Sequence, residues 1–115
     1  MDWKKLTSEQ IFSEILNDTA NQDVSYLIFK HSTSCSISAM ALNRLERNWA
    51  ASEVPLLVPY YLDLLSYRSV SNKIAQDLNV IHQSPQVLVI RNGKAIFDAS
   101  HMDINFADIK NALKK

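Results

Sequence analysis

The stretch that decides the fold runs from Val24 to Ser38 and reads VSYLIFKHSTSCSIS. Its first part, Val24 to Phe29, is apolar on both faces, which is typical of a central strand of a sheet. Its last part leads into apolar residues at helical spacing, namely Ile37, Ala41, Leu45 and Trp49. Cys35, the only cysteine of the chain, therefore lies where a strand gives way to the N-terminus of a helix.

The position of Cys35 predicts a reactive thiol. The N–H groups in the first turn of a helix lack intrahelical partners, and together with the positive end of the helix dipole they favour a thiolate over a thiol. The thiolate is the nucleophilic form of cysteine. The alternative interpretation is a buried, inert side chain, because free cysteine is among the most buried residue types. The place of Cys35 between strand and helix favours the nucleophile.

Composition limits the class of protein. A chain of 115 residues, 47% of them hydrophobic, predicts one globular domain over residues 1–115. Twelve basic residues balance twelve acidic ones, which argues against a nucleic-acid or anionic-membrane binder. Neither a signal peptide nor an apolar run of the roughly 20 residues of a membrane span is found. One cysteine forms no internal disulfide, so we expect a cytoplasmic protein, and the scattered histidines predict no metal site.

The first part of the chain predicts one helix and a short strand. Thr7 and Gln10 form a capping box, which predicts a helix that continues to about Asn17. Residues 17–23 are polar and predict a loop. A short edge strand is predicted over residues 3–6.

The second half predicts a strand, a helix, a hairpin and a last helix. The apolar run from Leu57 to Leu65 predicts a strand, with Pro59 near its start or on an edge because proline cannot donate to a ladder. Ser69 is the expected N-cap of the next helix. Asn92-Gly93 between two apolar runs predicts a β-hairpin, and Asn105 is placed to cap a last helix.

This order of elements predicts an α/β fold. Alternating strands and helices call for parallel strands with right-handed crossovers, and the hairpin adds an antiparallel pair. The result is a central mixed sheet flanked by about four helices, which matches the thioredoxin fold. In that fold a cis-proline precedes the hairpin and packs beside a reactive cysteine. Pro85, just before the first hairpin strand, is in the matching position.

Three motifs carry a more specific resemblance. Residues 31–38 read HSTSCSIS, residues 67–72 read YRSVSN and residues 82–87 read HQSPQV. They resemble the YtxJ-like monothiol bacilliredoxins, and the resemblance spans nearly the whole chain. That family commonly has proline directly after its cysteine, whereas this chain has Ser36.

The resemblance implies a monothiol thiol-disulfide oxidoreductase. Its substrates are proteins that carry bacillithiol as a mixed disulfide, and Cys35 is the catalytic residue. Bacillithiol is then a co-substrate rather than a bound cofactor, and a monomer is expected. Two-cysteine relatives hold a second cysteine at the position of Ser38. Serine cannot resolve a mixed disulfide, so Cys35 must pass the small thiol to an outside thiol.

Several polar residues near Cys35 are expected to support it. Thr33, Ser34 and Ser36 flank it in the chain, and Ser38 lies in the first turn of the helix. For Ser38 two roles stay open: its hydroxyl satisfies a nearby backbone group, or it donates a hydrogen bond to the Cys35 thiolate.

Ser84, Pro85 and His31 are the candidate substrate-binding residues. A cis-proline turns the Ser84 backbone outward, where it is able to pair with an extended substrate segment. His31 is either a residue near the site or a capping histidine, with a role as a base less favoured. Candidate contacts for the carboxylates of bacillithiol, alternatively solvated surface charges, are Lys30, His31, Arg68 and Arg91. Asp63 is either a semi-buried carboxylate that assists proton transfer or a strand-end surface group.

The sequence leaves two other functions open. A redox-silent binding module would use the face around Cys35 and Pro85 to dock proteins. A monothiol, glutaredoxin-like enzyme would use another small thiol, such as glutathione or coenzyme A. The chain has no CxxC motif, which argues against reduction of protein disulfides by two thiols.

Overall fold

The computed structural model describes residues 1–20 and 23–114. In chain order its elements are β1 (Lys4–Lys5), α1 (Glu9–Asn17), β2 (Ser25–His31), α2 (Ser36–Asn48), β3 (Leu57–Asp63), α3 (Arg68–Leu78), β4 (Gln86–Arg91), β5 (Lys94–Ser100) and α4 (Phe106–Ala112). Short 3-10 turns cover Ala51–Glu53 and His101–Asp103. Over the described ranges the fold is therefore α/β with four helices, as predicted.

The strands form one mixed sheet in the order β1-β3-β2-β4-β5. β3 pairs in parallel with β1 and β2, whereas β4 is antiparallel to β2 and β5. The predicted hairpin joins β4 to β5, and Asn92 and Gly93 both have positive φ, as a two-residue hairpin turn requires. A Cβ on Gly93 would lie 2.8 Å from the carbonyl oxygen of Leu16, so this turn also needs glycine for space. The predicted mixed sheet is confirmed.

Apolar side chains pack on both faces of the central strand β2. Leu27 and Phe29 face one core, which α2 and α4 close with Leu45 and Ile109. Ile28 faces the other core, which is closed by side chains of α1 and α3, namely Phe12, Ile15, Val70 and Ile74. Burial on both faces explains why residues 24–29 read as a continuous apolar run rather than an alternating one.

The start of α1 differs from the prediction by one residue. Ser8, not Thr7, is the N-cap, and its hydroxyl accepts a hydrogen bond from the Ile11 N–H at 3.2 Å. The predicted capping box on Thr7 is therefore wrong. The reason is tertiary: the Leu6 N–H donates to the Tyr61 carbonyl at 2.9 Å, which keeps the chain on the sheet edge up to Leu6.

The start of α3 also differs from the prediction. The helix begins at Arg68 with Tyr67 as its N-cap, so Ser69 lies inside the helix. The Tyr67 N–H donates to the Asp63 carbonyl at 3.0 Å, and this turn after β3 leads directly into the helix. The predicted cap of α4 is confirmed, because Asn105 accepts a hydrogen bond from the Asp108 N–H at 2.9 Å.

Two further predictions concern the ends of elements. Pro59 is the third residue of β3 and precedes the residues that pair with β1, so its missing N–H leaves no gap in that pairing. This confirms a proline near the start of the strand. The predicted loop begins after Asn17, where α1 ends, while Asn21 and Gln22 lie outside the described residues.

Candidate active site

Cys35 is the N-cap residue of α2, four residues after β2 ends at His31. Its backbone is extended, with φ −109° and ψ 121°, and its carbonyl accepts the Ala39 N–H at 3.1 Å. The Cys35 N–H closes a tight turn by donating to the Ser32 carbonyl at 3.1 Å. The side chain is half-buried and forms no disulfide. The predicted position at a helix N-terminus is confirmed.

The residues on either side of the thiol face solvent. Thr33 and Ser34 are exposed in the turn, and Ser36 is exposed as the first residue of α2. The Ser34 hydroxyl lies 3.5 Å from that of Ser32. The half-buried Cys35 is therefore flanked in the chain by exposed residues on both sides.

Ser38 lies beneath this turn and is fully buried. Its hydroxyl accepts the Ser32 N–H at 3.1 Å and lies 2.7 Å from His31 Nδ1. Since the Ser32 N–H already donates to it, the hydroxyl proton is available to His31. Ser38 thus ties the turn that carries Cys35 to the end of β2, which corresponds to the first of the two roles predicted for it, the satisfaction of a backbone group.

His31 is the last residue of β2 and is only 6% exposed. Its ring centroid lies 5.4 Å from that of Tyr61 and 6.0 Å from that of Phe29. Burial lowers the pKa of His31, against smaller raising effects of Asp63 and Glu46. A ring enclosed in this way does not reach a carboxylate in solution, so the predicted substrate contact does not fit its position.

Ser84 and Pro85 lie at the same end of the sheet as Cys35. They precede β4, whose first residue, Gln86, pairs with Lys30 near the end of β2. The Ser84–Pro85 peptide bond is cis, and Pro85 is buried. The Pro85 carbonyl accepts the His101 N–H at 3.1 Å, which fixes the start of β4 to the turn after β5. The Ser84 hydroxyl oxygen is buried and has no hydrogen-bond partner among the described residues.

Besides His31, two more of the four proposed carboxylate contacts are in the wrong place. Lys30 is fully buried within the sheet. Arg91 lies at the opposite end of β4, where it donates to the Ser25 hydroxyl and the Leu113 carbonyl, each at 2.9 Å. Both are part of the structure rather than free surface charges, whereas Arg68 is exposed at the start of α3.

Asp63 ends β3 and is half-buried, between the two interpretations given for it. One carboxylate oxygen, Oδ2, accepts the Ser66 hydroxyl at 3.0 Å. The other, Oδ1, is buried without a hydrogen-bond partner among the residues described.

A buried polar cluster behind the site was not predicted from the sequence. It consists of the buried residues Lys30, Ser71 and Gln86, from β2, α3 and β4, and of the exposed His82 from the segment before Pro85, whose inner ring nitrogen faces Lys30 and Ser71. The signal that could have revealed it is a lysine that directly follows the apolar run of a predicted central strand. Because lysine is rarely fully buried, the sequence favours a surface charge at this position.

The part of the chain that the structure describes shows neither a cluster of metal ligands nor a membrane-spanning helix. Across residues 1–20 and 23–114, no three His, Cys, Asp or Glu side chains are grouped so that they could hold a metal ion. In the same part of the chain, none of the helices has the length and apolar character needed to cross a bilayer.

A single thiol at the N-terminus of the helix after a central strand, with a cis-proline at the start of the neighbouring strand, defines a thioredoxin-fold thiol protein. The comparison with protein families agrees: residues 4–109 match the model of the monothiol bacilliredoxin BrxC family. The chain belongs to this family. It is a thiol oxidoreductase of thioredoxin fold.

Solved structures give the same fold. One described as having a thioredoxin fold shares 31% identity, with a TM-score of 0.77 over 94% of this chain and 90% of that one. Thioredoxin from Trypanosoma brucei brucei is 15% identical, with a TM-score of 0.74 over 98% of this chain and 88% of that one. Mitochondrial thioredoxin 3 from Saccharomyces cerevisiae is 14% identical, with a TM-score of 0.72 over 97% of this chain and 93% of that one. At these low identities the two thioredoxins show the fold alone.

Proposed function

We propose that this protein removes bacillithiol from protein mixed disulfides through a mixed disulfide on Cys35. The observation that carries the proposal is one half-buried cysteine at the N-cap of α2, with a buried serine, Ser38, one turn further on. A serine has no sulfur with which to resolve an adduct, so an outside thiol must do so. Membership of the monothiol bacilliredoxin family supports bacillithiol as that thiol.

The proposed reaction consists of two thiol–disulfide exchanges. The Cys35 thiolate attacks the bacillithiol sulfur of the modified protein, and the protein cysteine leaves as a thiolate that takes a proton from water. A second bacillithiol thiolate then attacks the bacillithiol sulfur on Cys35. This step forms bacillithiol disulfide and releases the Cys35 thiolate. Overall, one free bacillithiol is oxidised as one protein cysteine is reduced, and the two bacillithiol units leave together as one disulfide.

The surroundings of Cys35 support this role for its thiol. The N–H groups in the first turn of α2 stabilise negative charge on the attacking or leaving sulfur. The open turn over residues 32–35 leaves room for a protein substrate, and the Ser84 backbone offers a donor and an acceptor to an extended segment. In this role Ser84 and Pro85 align the substrate, whereas His31 and Ser38 hold the turn in place.

Further features follow from the same proposal. The partners are S-thiolated proteins and a low-molecular-weight thiol, and a monomer is sufficient because the site is built from one chain. A free reactive cysteine is typical of the cytoplasm, where thiols are kept reduced.

Intact-mass spectrometry tests the proposal. The reduced protein is incubated with a bacillithiol-modified model protein, and the expected product is a single bacillithiol adduct that disappears when free bacillithiol is added. Cys35→Ser is the control and must give no adduct. Failure of the wild-type protein to acquire the adduct would point to a redox-silent binding module. Faster exchange with glutathione or coenzyme A disulfides would identify another small thiol.

A further inference from the structure

The central strand β2 holds a lysine that is fully buried and has no acidic partner among the described residues. No carboxylate of the described residues lies within ion-pair distance of Lys30 Nζ. The Nζ atom lies 3.3 Å from the Ser71 carbonyl oxygen and 3.2 Å from His82 Nδ1. Burying an amine is costly unless its hydrogen bonds are made, so the Lys30 side chain depends on these two acceptors.

The direction of the bond between Lys30 and His82 follows from the chemistry of the two groups. An ammonium has only donors, so His82 Nδ1 must accept, and the ring must be neutral with its proton on Nε2. The Ser71 hydroxyl, 3.4 Å from the same nitrogen, is a second donor to it. His82 is exposed on its outer side, and its inner nitrogen is its link to the core.

Gln86 reaches the same segment from the neighbouring strand. It pairs with Lys30 across β2 and β4 and is only 1% exposed. Its amide nitrogen donates to the Ile81 carbonyl at 3.0 Å, and its amide oxygen accepts the Gln83 N–H at 3.4 Å. Lys30 and Gln86 thus hold residues 81–83 from two adjacent strands.

Apolar packing does little to hold this segment. Ile81 is 82% exposed, and both His82 and Gln83 are exposed as well. The segment leads directly into Ser84 and Pro85. Its position therefore depends on the hydrogen bonds from the buried polar cluster, and the orientation of the Ser84 backbone depends on its position.

We infer that Lys30 is a positioning residue for protein substrates, which acts through His82 to hold residues 81–83 and thereby the Ser84 backbone in the orientation that receives an extended peptide. The inference rests on the proposed function, since it concerns how a modified protein docks beside Cys35. A small disulfide has no peptide segment to align, so its reaction with Cys35 does not require the hydrogen bonds that hold residues 81–83.

The hydrogen bond between Lys30 and His82 makes the docking of a protein substrate dependent on pH. The charged groups near His82 are Lys30 from β2 and Arg68 from α3, and the neutral group that faces it is Ser71 from α3. Burial, and then the positive charges of Lys30 and Arg68, lower the pKa of His82. Protonation converts Nδ1 into a donor that faces the donors of Lys30, so the bond is lost in acid.

The test compares two variants of the exposed residue, His82→Ala and His82→Asn. Alanine removes the acceptor, whereas the asparagine side-chain oxygen takes nearly the place of Nδ1. Steady-state kinetics are measured with a bacillithiol-modified protein and with bacillithiol disulfide. We expect His82→Ala to raise KM for the protein substrate about tenfold, the scale of one hydrogen bond to a charged group. The rate with the small disulfide should change less than about twofold, well below the effect of that bond.

The controls separate positioning from folding. His82→Asn should restore KM and remove the rise of KM in acid, because its amide does not titrate. Gln76→Ala changes an exposed residue of α3 outside residues 81–83 and should leave KM unchanged. Lys30→Met fills a similar volume without a donor and should shift KM in the same direction as His82→Ala. If Lys30→Met does not fold, the two His82 variants still decide the question.

Two outcomes overturn the inference. One is an unchanged KM for the protein substrate in His82→Ala, and the other is an equal loss on both substrates. In either case a bacillithiol adduct on wild-type Cys35 would leave the proposed function standing. Absence of that adduct in the wild-type protein would instead contradict the proposed function, and the inference with it.

Discussion

Ser38 shows at the scale of one residue how this site departs from two-cysteine chemistry. Its hydroxyl lies in the first turn of α2 and bonds the Ser32 N–H and the His31 ring. The position of a resolving thiol is thus occupied by a group that fixes the turn around Cys35. Replacing it tests structure and chemistry separately.

We predict that Ser38→Ala lowers the free energy of unfolding by about 1–3 kcal/mol, because it leaves the half-buried Ser32 N–H and the buried His31 Nδ1 without this partner. Urea denaturation measures the change. Ser36→Ala is the matched control, since Ser36 is exposed in the same turn and its loss should cost less than about 0.5 kcal/mol. Equal stability of the Ser38 variant and wild type would contradict the assigned hydrogen bonds.

We predict that Ser38→Cys changes the oxidised product. The new thiol lies three residues after Cys35, one turn into α2, so it is able to attack an adduct on Cys35 within the same molecule. Mass spectrometry should then find an internal disulfide in place of a lasting bacillithiol adduct. Accumulation of the adduct without ring closure would mean that the two side chains do not face each other.

We predict that Ser84→Ala leaves stability unchanged or slightly raised and keeps activity on a modified protein. The Ser84 hydroxyl is buried without a hydrogen-bond partner among the described residues, so its removal takes away an unsatisfied group. The proposed substrate contacts use the backbone, which alanine retains. A large rise of KM in this variant would assign the hydroxyl itself to substrate binding.

At the scale of elements, the boundaries of the helices depend on the strands that precede them. α1 begins after Ser8 because pairing of the chain with β3 extends to Leu6. The sequence predicted the existence of α1 from a capping box on Thr7 and Gln10, but the cap in the structure is Ser8. Pairing of residues far apart in the chain moved the start of the helix by one residue.

We predict that Ser8→Ala lowers the free energy of unfolding by about 1 kcal/mol, the usual cost of losing an N-cap side chain. Thr7→Ala is the matched control and should cost clearly less, because its neighbour Ser8 supplies the cap. Thermal or urea denaturation of both variants measures the difference. A larger loss in Thr7→Ala would restore the capping box predicted from the sequence.

At the scale of the whole molecule, the buried Lys30 links stability to pH. Burial lowers the pKa of Lys30 from 10.5 to about 8. Between these values the unfolded chain binds one more proton than the folded one, so stability rises with pH across that window. Burial raises the pKa of Tyr60 and Tyr61, which acts in the opposite direction once pH exceeds 10. We therefore predict that the urea midpoint rises between pH 8 and 10, and that this rise is smaller in Lys30→Met. A parallel pH profile of the two proteins would contradict the prediction.

By itself the sequence determined the elements and the place of Cys35 at the start of a helix. An apolar run, helical spacing after Cys35 and the Asn92-Gly93 turn are local signals, because side-chain periodicity and turn geometry involve near neighbours. These signals were enough to predict the mixed sheet and the thiol at the start of α2.

Only the tertiary structure decided which polar groups the core encloses. His31 and Lys30 are adjacent in the sequence, yet β2 directs them to opposite faces, one to Ser38 and the other to His82. Their partners come from separate elements, and the local sequence does not show which distant groups, such as the Ser71 carbonyl, will bond a lysine at the end of a strand. Burial and hydrogen bonding between distant segments are set by packing. For this reason His31 and Lys30, which the sequence offered as surface charges, are buried groups that hold the turn of Cys35 and the segment before Pro85.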